Sequence, residues 1–327
     1  MNTPLARTAR RLATGAVAGA VILAPILGFA GQEEAKRRAT PLDWGLMRLR
    51  WRPGQDQRLD RTLSQFASKP QYMTFYLNLM SRFPKYWIEA IARRGATSIM
   101  SLELWVWHSW RKDSWLPDIN AGKFDESLFR PWAKEAKAYG KRILMRFGFE
   151  FNGYWFTWSH DPKAFVAAWR RAHAMFKEEG ADNVEWVWVP NIVSCPDTPE
   201  NDMHLYYPGD EYVDWVGTDG YNFGDHHDKW HHWESFEVIY RERLADFKKR
   251  YPNKPVIIPE FGCAPGKPGQ RAQWIRDAYE YLQTQPQVKA VSWFNLDKSD
   301  EGEPNWKLTE EDGSLQAFNE TFARPRQ

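Results

Sequence analysis

The chain has 327 residues, of which 43% are hydrophobic and 26% charged, with a net charge of +2. That balance suits one large globular domain or two small ones, and the near-neutral charge excludes the basic footprint of a nucleic-acid binder. Aromatic residues reach 16%, including 19 Trp, a density that calls for rings lining a binding surface or a large core.

At the N-terminus, Arg7, Arg10 and Arg11 precede the nearly uncharged run Leu12–Phe29, and Gly28-Phe29-Ala30 offers small residues at a signal-peptidase site. Residues 1–30 are expected to be a signal peptide, with an uncleaved N-terminal membrane anchor as the alternative. The protein is therefore expected to be exported, periplasmic or secreted, and monomeric. Residues 31–44 read as a polar tether and 45–327 as one domain.

Strand-like apolar runs follow at Gly45–Arg50, Tyr72–Leu79, Ser98–Trp105, Arg142–Phe149, Val184–Pro190, Val213–Asp219, Pro255–Glu260 and Val288–Asn295. Amphipathic helical patterns separate most of them. The clearest opens at Asp161 as N-cap with Pro162 at the first helical position. It buries Phe165, Ala168, Trp169, Ala172 and Phe176, and closes at Gly180. Ser235 opens another, over Phe236, Ile239, Leu244 and Phe247, and Trp274, Ala278 and Tyr281 mark a third. Eight strands alternating with helices predict an α/β fold, a single (β/α)₈ TIM barrel. The doubly wound open sheet is disfavoured because no glycine-rich phosphate fingerprint follows the early strands. Cys195 and Cys263 each follow a predicted strand, and either one disulfide or two separate thiols fits them.

Active sites of such barrels lie at the C-terminal ends of the strands. The predicted ends carry Glu150, Asp219-Gly220-Tyr221, Glu260-Phe261-Gly262 and Trp293-Phe294-Asn295. A carboxylate that ends an apolar strand among rings has no packing reason to be there, since burying it costs several kcal/mol unless it is paired. Two such Glu, three strands apart, would face each other across the mouth, as glycoside hydrolysis requires. Salt-bridged barrel-end carboxylates are the structural alternative.

These residues carry a resemblance. Arg146-x-x-x-Glu150-Phe151-Asn152-Gly153-x-Trp155-Phe156-x-Trp158 resembles the acid/base motif of glycoside hydrolase family 26. So do Asn183-Val184-x-Trp186-Val187-Trp188-x-Pro190-Asn191, Asp214-x-Val216-Gly217-x-Asp219-Gly220-Tyr221 and Pro259-Glu260-Phe261-Gly262, in the same order. The family contains β-mannanases, mixed-linkage β-glucanases and β-1,3-xylanases, and belongs to a clan of retaining (β/α)₈ enzymes. The resemblance implies an endo-acting hydrolase of a β-linked polysaccharide, with Glu150 as acid/base and Glu260 as nucleophile. It also implies that Tyr221 touches the nucleophile and that Trp293 floors the subsite of the reacting sugar. Processing or transglycosylation of a bacterial exopolysaccharide, and a catalytically inactive carbohydrate-binding barrel, are the alternatives.

Arg146, four residues before Glu150, should point into the barrel and serve Glu260 together with Tyr221. Asp219 joins them as a substrate-binding candidate. Family mannanases usually carry His before the acid/base Glu. Phe149 holds that place here and donates no hydrogen bond, which counts against mannan and leaves the sugar at that subsite open between glucose, xylose and a modified residue of a bacterial exopolysaccharide. Asn152, Trp155 and Trp158 are expected in the cleft, and Trp105, Trp107 and Trp110 as sugar platforms or core. The loop cluster His226-His227-Asp228 with His231-His232 reads as a solvated rim rather than a metal site. No metal or other cofactor is expected, because this hydrolysis needs none.

Overall fold

Residues 42–47, 54–226 and 231–325 are described by a computed structural model. The predicted leader, nearly all of the tether, the end of the first predicted strand, and His227 and Asp228 lie outside them. The chain divides into a unit of Met1–Ala39 and the unit Thr40–Gln327, to which all that follows refers. Among the described residues no helix is long and apolar enough to cross a membrane.

The strands are β1 (Asp43–Met47), β2 (Tyr72–Asn78), β3 (Thr97–Glu103), β4 (Ile143–Phe147), β5 (Val184–Trp188), β6 (Trp215–Gly217), β7 (Gly220–Asn222), β8 (Val256–Cys263) and β9 (Val288–Phe294). The helices are α1 (Asp56–Leu63), α2 (Lys85–Arg93), α3 (Leu116–Asn120), α4 (Arg130–Tyr139), α5 (Pro162–Glu179), α6 (Phe236–Arg250), α7 (Gln270–Gln283) and α8 (Ser314–Glu320). Every strand pairing is parallel, and a β6–β8 pairing closes the sheet. Both β6 and β7 pair with β8, so they are two pieces of one barrel strand, and eight strands form the closed barrel. This is the (β/α)₈ architecture expected from the strand–helix alternation.

Period-two alternation divides the core into two shells. Met47, Ile99, Leu144, Val187, Ile257 and Ala290 fill the barrel, while Met100, Met145, Trp186, Trp188 and Val291 face the helices. The α5 signals hold: the Asp161 side chain accepts from Ala164 N at 2.9 Å, Pro162 is the first helical residue, and Gly180 ends the helix at φ +73°. Its face buries Phe165, Trp169 and Phe176 fully or nearly so, each contributing about 1.5–3 kcal/mol. Ser235 caps α6 through Val238 N, but Tyr240 takes the deep position expected of Ile239, which is half-buried.

β2, β3, β5 and β9 stop one or two residues short of the predicted ends, at Asn78, Glu103, Trp188 and Phe294, and three other predicted ends move for reasons the backbone shows. β4 stops at Phe147 rather than Phe149, because Gly148 (φ +53°) and Glu150 (φ +50°) adopt left-handed backbone. A Cβ on Gly148 would lie 2.6 Å from Leu104 Cδ1 and 2.8 Å from Phe165 Cε2, so the turn needs glycine on two counts. The sixth strand breaks at Thr218-Asp219, where an isolated bridge joins Asn191 to Asp219. The seventh runs on to Cys263, and its register shifts between Ile258 and Phe261. Cys195 and Cys263 are separate free thiols, the second held at 3.4 Å by Asn222 Nδ2.

Candidate active site

Tyr76 on β2, Ser101 on β3 and Arg146 on β4 stand in register and point into the barrel. Glu260 enters the same layer from β8 at the register shift, a device that re-aims a side chain at an active-site rim. Arg146 is fully buried, and its guanidinium bridges two carboxylates: Nη1 donates to Glu260 Oε1 and Nη2 to Asp219 Oδ2. The Tyr76 hydroxyl also donates to Glu260 Oε1, and the Tyr221 hydroxyl to Oε2 at 2.7 Å. Three donors therefore converge on Glu260. Burial first, then the Glu260 charge, raises both phenols well above the ordinary tyrosine value, so they remain neutral donors.

Glu150 arrives from the left-handed turn after β4. Its amide still donates to Val189 O at 2.8 Å, so the turn stays tied to the neighbouring strand. Its Oε1 accepts from Asn191 Nδ2 at 3.0 Å and its Oε2 from Trp155 Nε1 at 2.7 Å. Only 9% of the residue is exposed. Burial, and then the Glu260 charge, push its carboxyl up to about 7, with Arg146, Asn191 and Trp155 opposing. Asp219, fully buried, is raised as well, again chiefly by burial and against the pull of Arg146. Three buried carboxyls gather around one guanidinium that pairs directly with only two of them, so a full set of negative charges would leave charge unpaired. Burial opposes the Arg146 charge, but its carboxylate partners hold the guanidinium above its ordinary value. The arrangement sets a carboxyl that keeps its proton near neutrality beside one that accepts from three donors. Such a pair can deliver a proton to a leaving oxygen and hold charge at the carbon it leaves.

Arg146, Asp219, Tyr221 and Trp155 thus gather with Glu150 and Glu260 as expected. Others sit differently. Phe149 is 3% exposed and lies flat against Arg146, its ring centroid 3.8 Å from the guanidinium carbon, with Tyr76 and Phe156 at its edges. It backs the cation. Asn152 is fully buried and ties loops, accepting from Asn191 N at 2.8 Å and donating to Asn191 O at 3.1 Å. Trp158 is buried, stacks on Phe156 and donates to Phe149 O at 2.8 Å. Trp105 is half-buried against Phe156 and Trp158, and Trp110 is 91% exposed.

Trp293 does not floor the site. It is fully buried on the helix side of β9, against Trp274 and Phe318, because Ala290, Ser292 and Phe294 take the inward positions of that strand. Phe294 and Trp306 pack against Tyr221 instead, at ring-centroid distances of 5.5 and 4.9 Å. Tyr76, Asn191 and Trp306 were not singled out as site residues. Period-two counting along Tyr72, Thr74 and Tyr76 would have found the first, whereas Asn191 and Trp306 lie on loops with no periodic signal. In the histidine loop, His226 Nε2 pairs with Gly302 O at 2.8 Å and His231 stacks on Phe223. Among the described residues no group of His, Cys, Asp and Glu is placed to hold a metal ion.

Paired Glu residues at the C-terminal mouth of a parallel barrel, one with its carboxyl pushed up by burial and the other met by three donors, define the class of site that glycoside hydrolysis uses. Comparison with known proteins carries this further: residues 127–246 match glycosyl hydrolase family 26, and residues 229–322 match a glycosyl hydrolase catalytic core. The chain belongs to glycosyl hydrolase family 26. Endoglucanase H of Acetivibrio thermocellus is 33% identical over 246 residues, 72% of this chain and 25% of that protein. A mannan endo-1,4-beta-mannosidase of Caldalkalibacillus mannanilyticus is 31% identical over 102 residues, 28% of this chain and 19% of that protein. The chain thus spans a quarter or less of the length of these curated relatives. The fold is shared with a family 26 β-mannanase from Bacteroides ovatus, with a TM-score of 0.62 and 19% identity, covering 89% of this chain and 90% of that one. A Cellulomonas fimi endo-β-1,4-mannanase superposes with a TM-score of 0.64 at 17% identity, over 90% of this chain and 73% of that one.

Proposed function

We propose that this protein is an endo-acting β-glycoside hydrolase that cleaves a β-linked polysaccharide of the glucan or mannan class by double displacement with retention. The observation that carries the reading is the split between the two carboxyls: Glu150 held protonated to about pH 7 by burial, and Glu260 met by Arg146, Tyr76 and Tyr221. In the first step Glu260 attacks the anomeric carbon while Glu150 gives its proton to the glycosidic oxygen. The carbon–oxygen bond breaks and the leaving sugar departs as an alcohol. Glu150, now a carboxylate, takes a proton from water, whose oxygen attacks the same carbon and releases Glu260. Glucan stands first as substrate because the relative matched over most of this chain is named an endoglucanase.

Reducing ends released from mixed-linkage β-glucan, β-mannan and β-1,3-xylan test this. Activity is expected on at least one polymer, with the β-anomer as first product by NMR. Glu260→Ala should abolish it. Activity in that variant equal to the wild type, or the α-anomer as first product, would overturn the assignment.

A further inference from the structure

Glu103 closes β3 and takes no part in the chemistry above. Ile99, Ser101 and Glu103 share one face of that strand. Ile99 packs inside the barrel, and Ser101 Oγ accepts from Arg146 Nη1 at 3.3 Å. Ser101 stands in register with Tyr76 and Arg146, two of the residues that hold Glu260. Glu103, in register with Asn78, therefore stands one inward layer closer to the mouth. A sugar whose anomeric carbon reaches Glu260 lies in that layer.

One oxygen of Glu103 is already occupied. Oε2 accepts from Trp105 Nε1 at 2.8 Å and also from Trp107 Nε1. Oε1 accepts no hydrogen bond among the described residues, yet it is not among the side-chain oxygens sealed from solvent without a partner. Burial pushes the Glu103 carboxyl up, with the indole donors opposing, so keeping a charge here costs free energy. A neutral amide would orient both indoles without that cost. The charge is accounted for by a ligand that donates to Oε1. Trp107, pinned at its ring nitrogen, is still 42% exposed, and a fixed ring beside a fixed acceptor is the pairing that grips a sugar by its apolar face and its edge.

We infer that Glu103 and Trp107 form a specificity-determining sugar subsite beside the catalytic pair. The Trp107 ring carries the face of one sugar of the β-linked chain, and Glu103 Oε1 accepts a hydrogen bond from one of its hydroxyls. The inference rests on the glycoside hydrolase reading for its ligand class. A carboxylate accepts and cannot donate, so the subsite selects sugars by where a hydroxyl points.

The test uses the full chain with Glu103→Gln and Trp107→Ala, read by kcat/KM on β-glucan, β-mannan and β-xylan and by retardation in gels containing the same polymers. Glu103→Gln keeps an acceptor for the indoles and replaces the free acceptor by a donor. It is expected to lose about 10- to 100-fold in kcat/KM on the preferred polymer, mostly through KM, and less on the others, so the preference ratio changes. Trp107→Ala, at an exposed ring, should weaken retardation by every polymer that binds, and it tests the subsite even if the Gln variant fails to fold. An unchanged preference ratio, within about twofold, in folded Glu103→Gln, or unchanged retardation in Trp107→Ala, overturns the subsite. A wild type that releases no reducing ends from any polymer overturns the hydrolase reading instead, while gel retardation still reads the subsite.

Discussion

Glu150→Gln should make the protein more stable at alkaline pH and leave it nearly unchanged at acid pH. The fold holds the Glu150 proton up to about 7, against an ordinary value of 4.5. Below the unfolded value both states are protonated and the group contributes nothing to pH dependence. As pH rises toward 7 the unfolded chain ionises freely while the folded one resists, so stability is lost through that window. At about 1.36 kcal/mol per pH unit, the loss amounts to about 3 kcal/mol once both states are ionised. Gln keeps the shape and can still accept from Trp155 or Asn191, but it does not titrate. Urea unfolding of both proteins at pH 4.5 and at pH 8.5 measures the difference. The stability gap should shift in favour of the variant by about 3 kcal/mol between the two pH values. A gap independent of pH would refute the claim that burial and the Glu260 charge hold this proton.

The same proton should govern turnover: kcat/KM is expected to fall tenfold per pH unit above an apparent value of about 7, and a pH–rate profile flat to pH 9 would contradict Glu150 as the acid. Arg146→Met leaves Glu260 and Asp219 buried without their cation, and a loss of about 3–5 kcal/mol in denaturant unfolding is expected. Tyr76→Phe removes one of three donors from Glu260 without changing the packing of the ring. A charged hydrogen bond of about 1.5–3 kcal/mol corresponds to about 10- to 100-fold in kcat/KM, and a change below twofold would exclude a role in holding the carboxylate.

The order of eight strands and the caps of α5 were legible because hydrophobic period, Asp-Pro at a helix start and Gly at its end are local signals that tertiary contacts here reinforce. Glu150 and Glu260 were legible for a related reason: a carboxyl ending an apolar run conflicts with packing, and the conflict marks the site. Trp293 was misplaced although the rule that places it is also local. Its neighbours Ala290, Ser292 and Phe294 occupy the inner face, and alternation sends it to the helices.

What the tertiary structure alone decided is how the charges are shared. The left-handed turn at Gly148–Glu150 ends the alternation, so counting from Arg146 could not place Glu150 or turn Phe149 onto the guanidinium. Asn191 and Trp306 reach Glu150 and Tyr221 from loops far from them in sequence, and barrel closure brings them there. A sequence shows which groups can carry charge and where packing disfavours them. That Glu150 keeps its proton to about 7 depends on burial and on the neighbouring Glu260 charge, against the pull of Arg146, and all three come together only once the eight strands have closed.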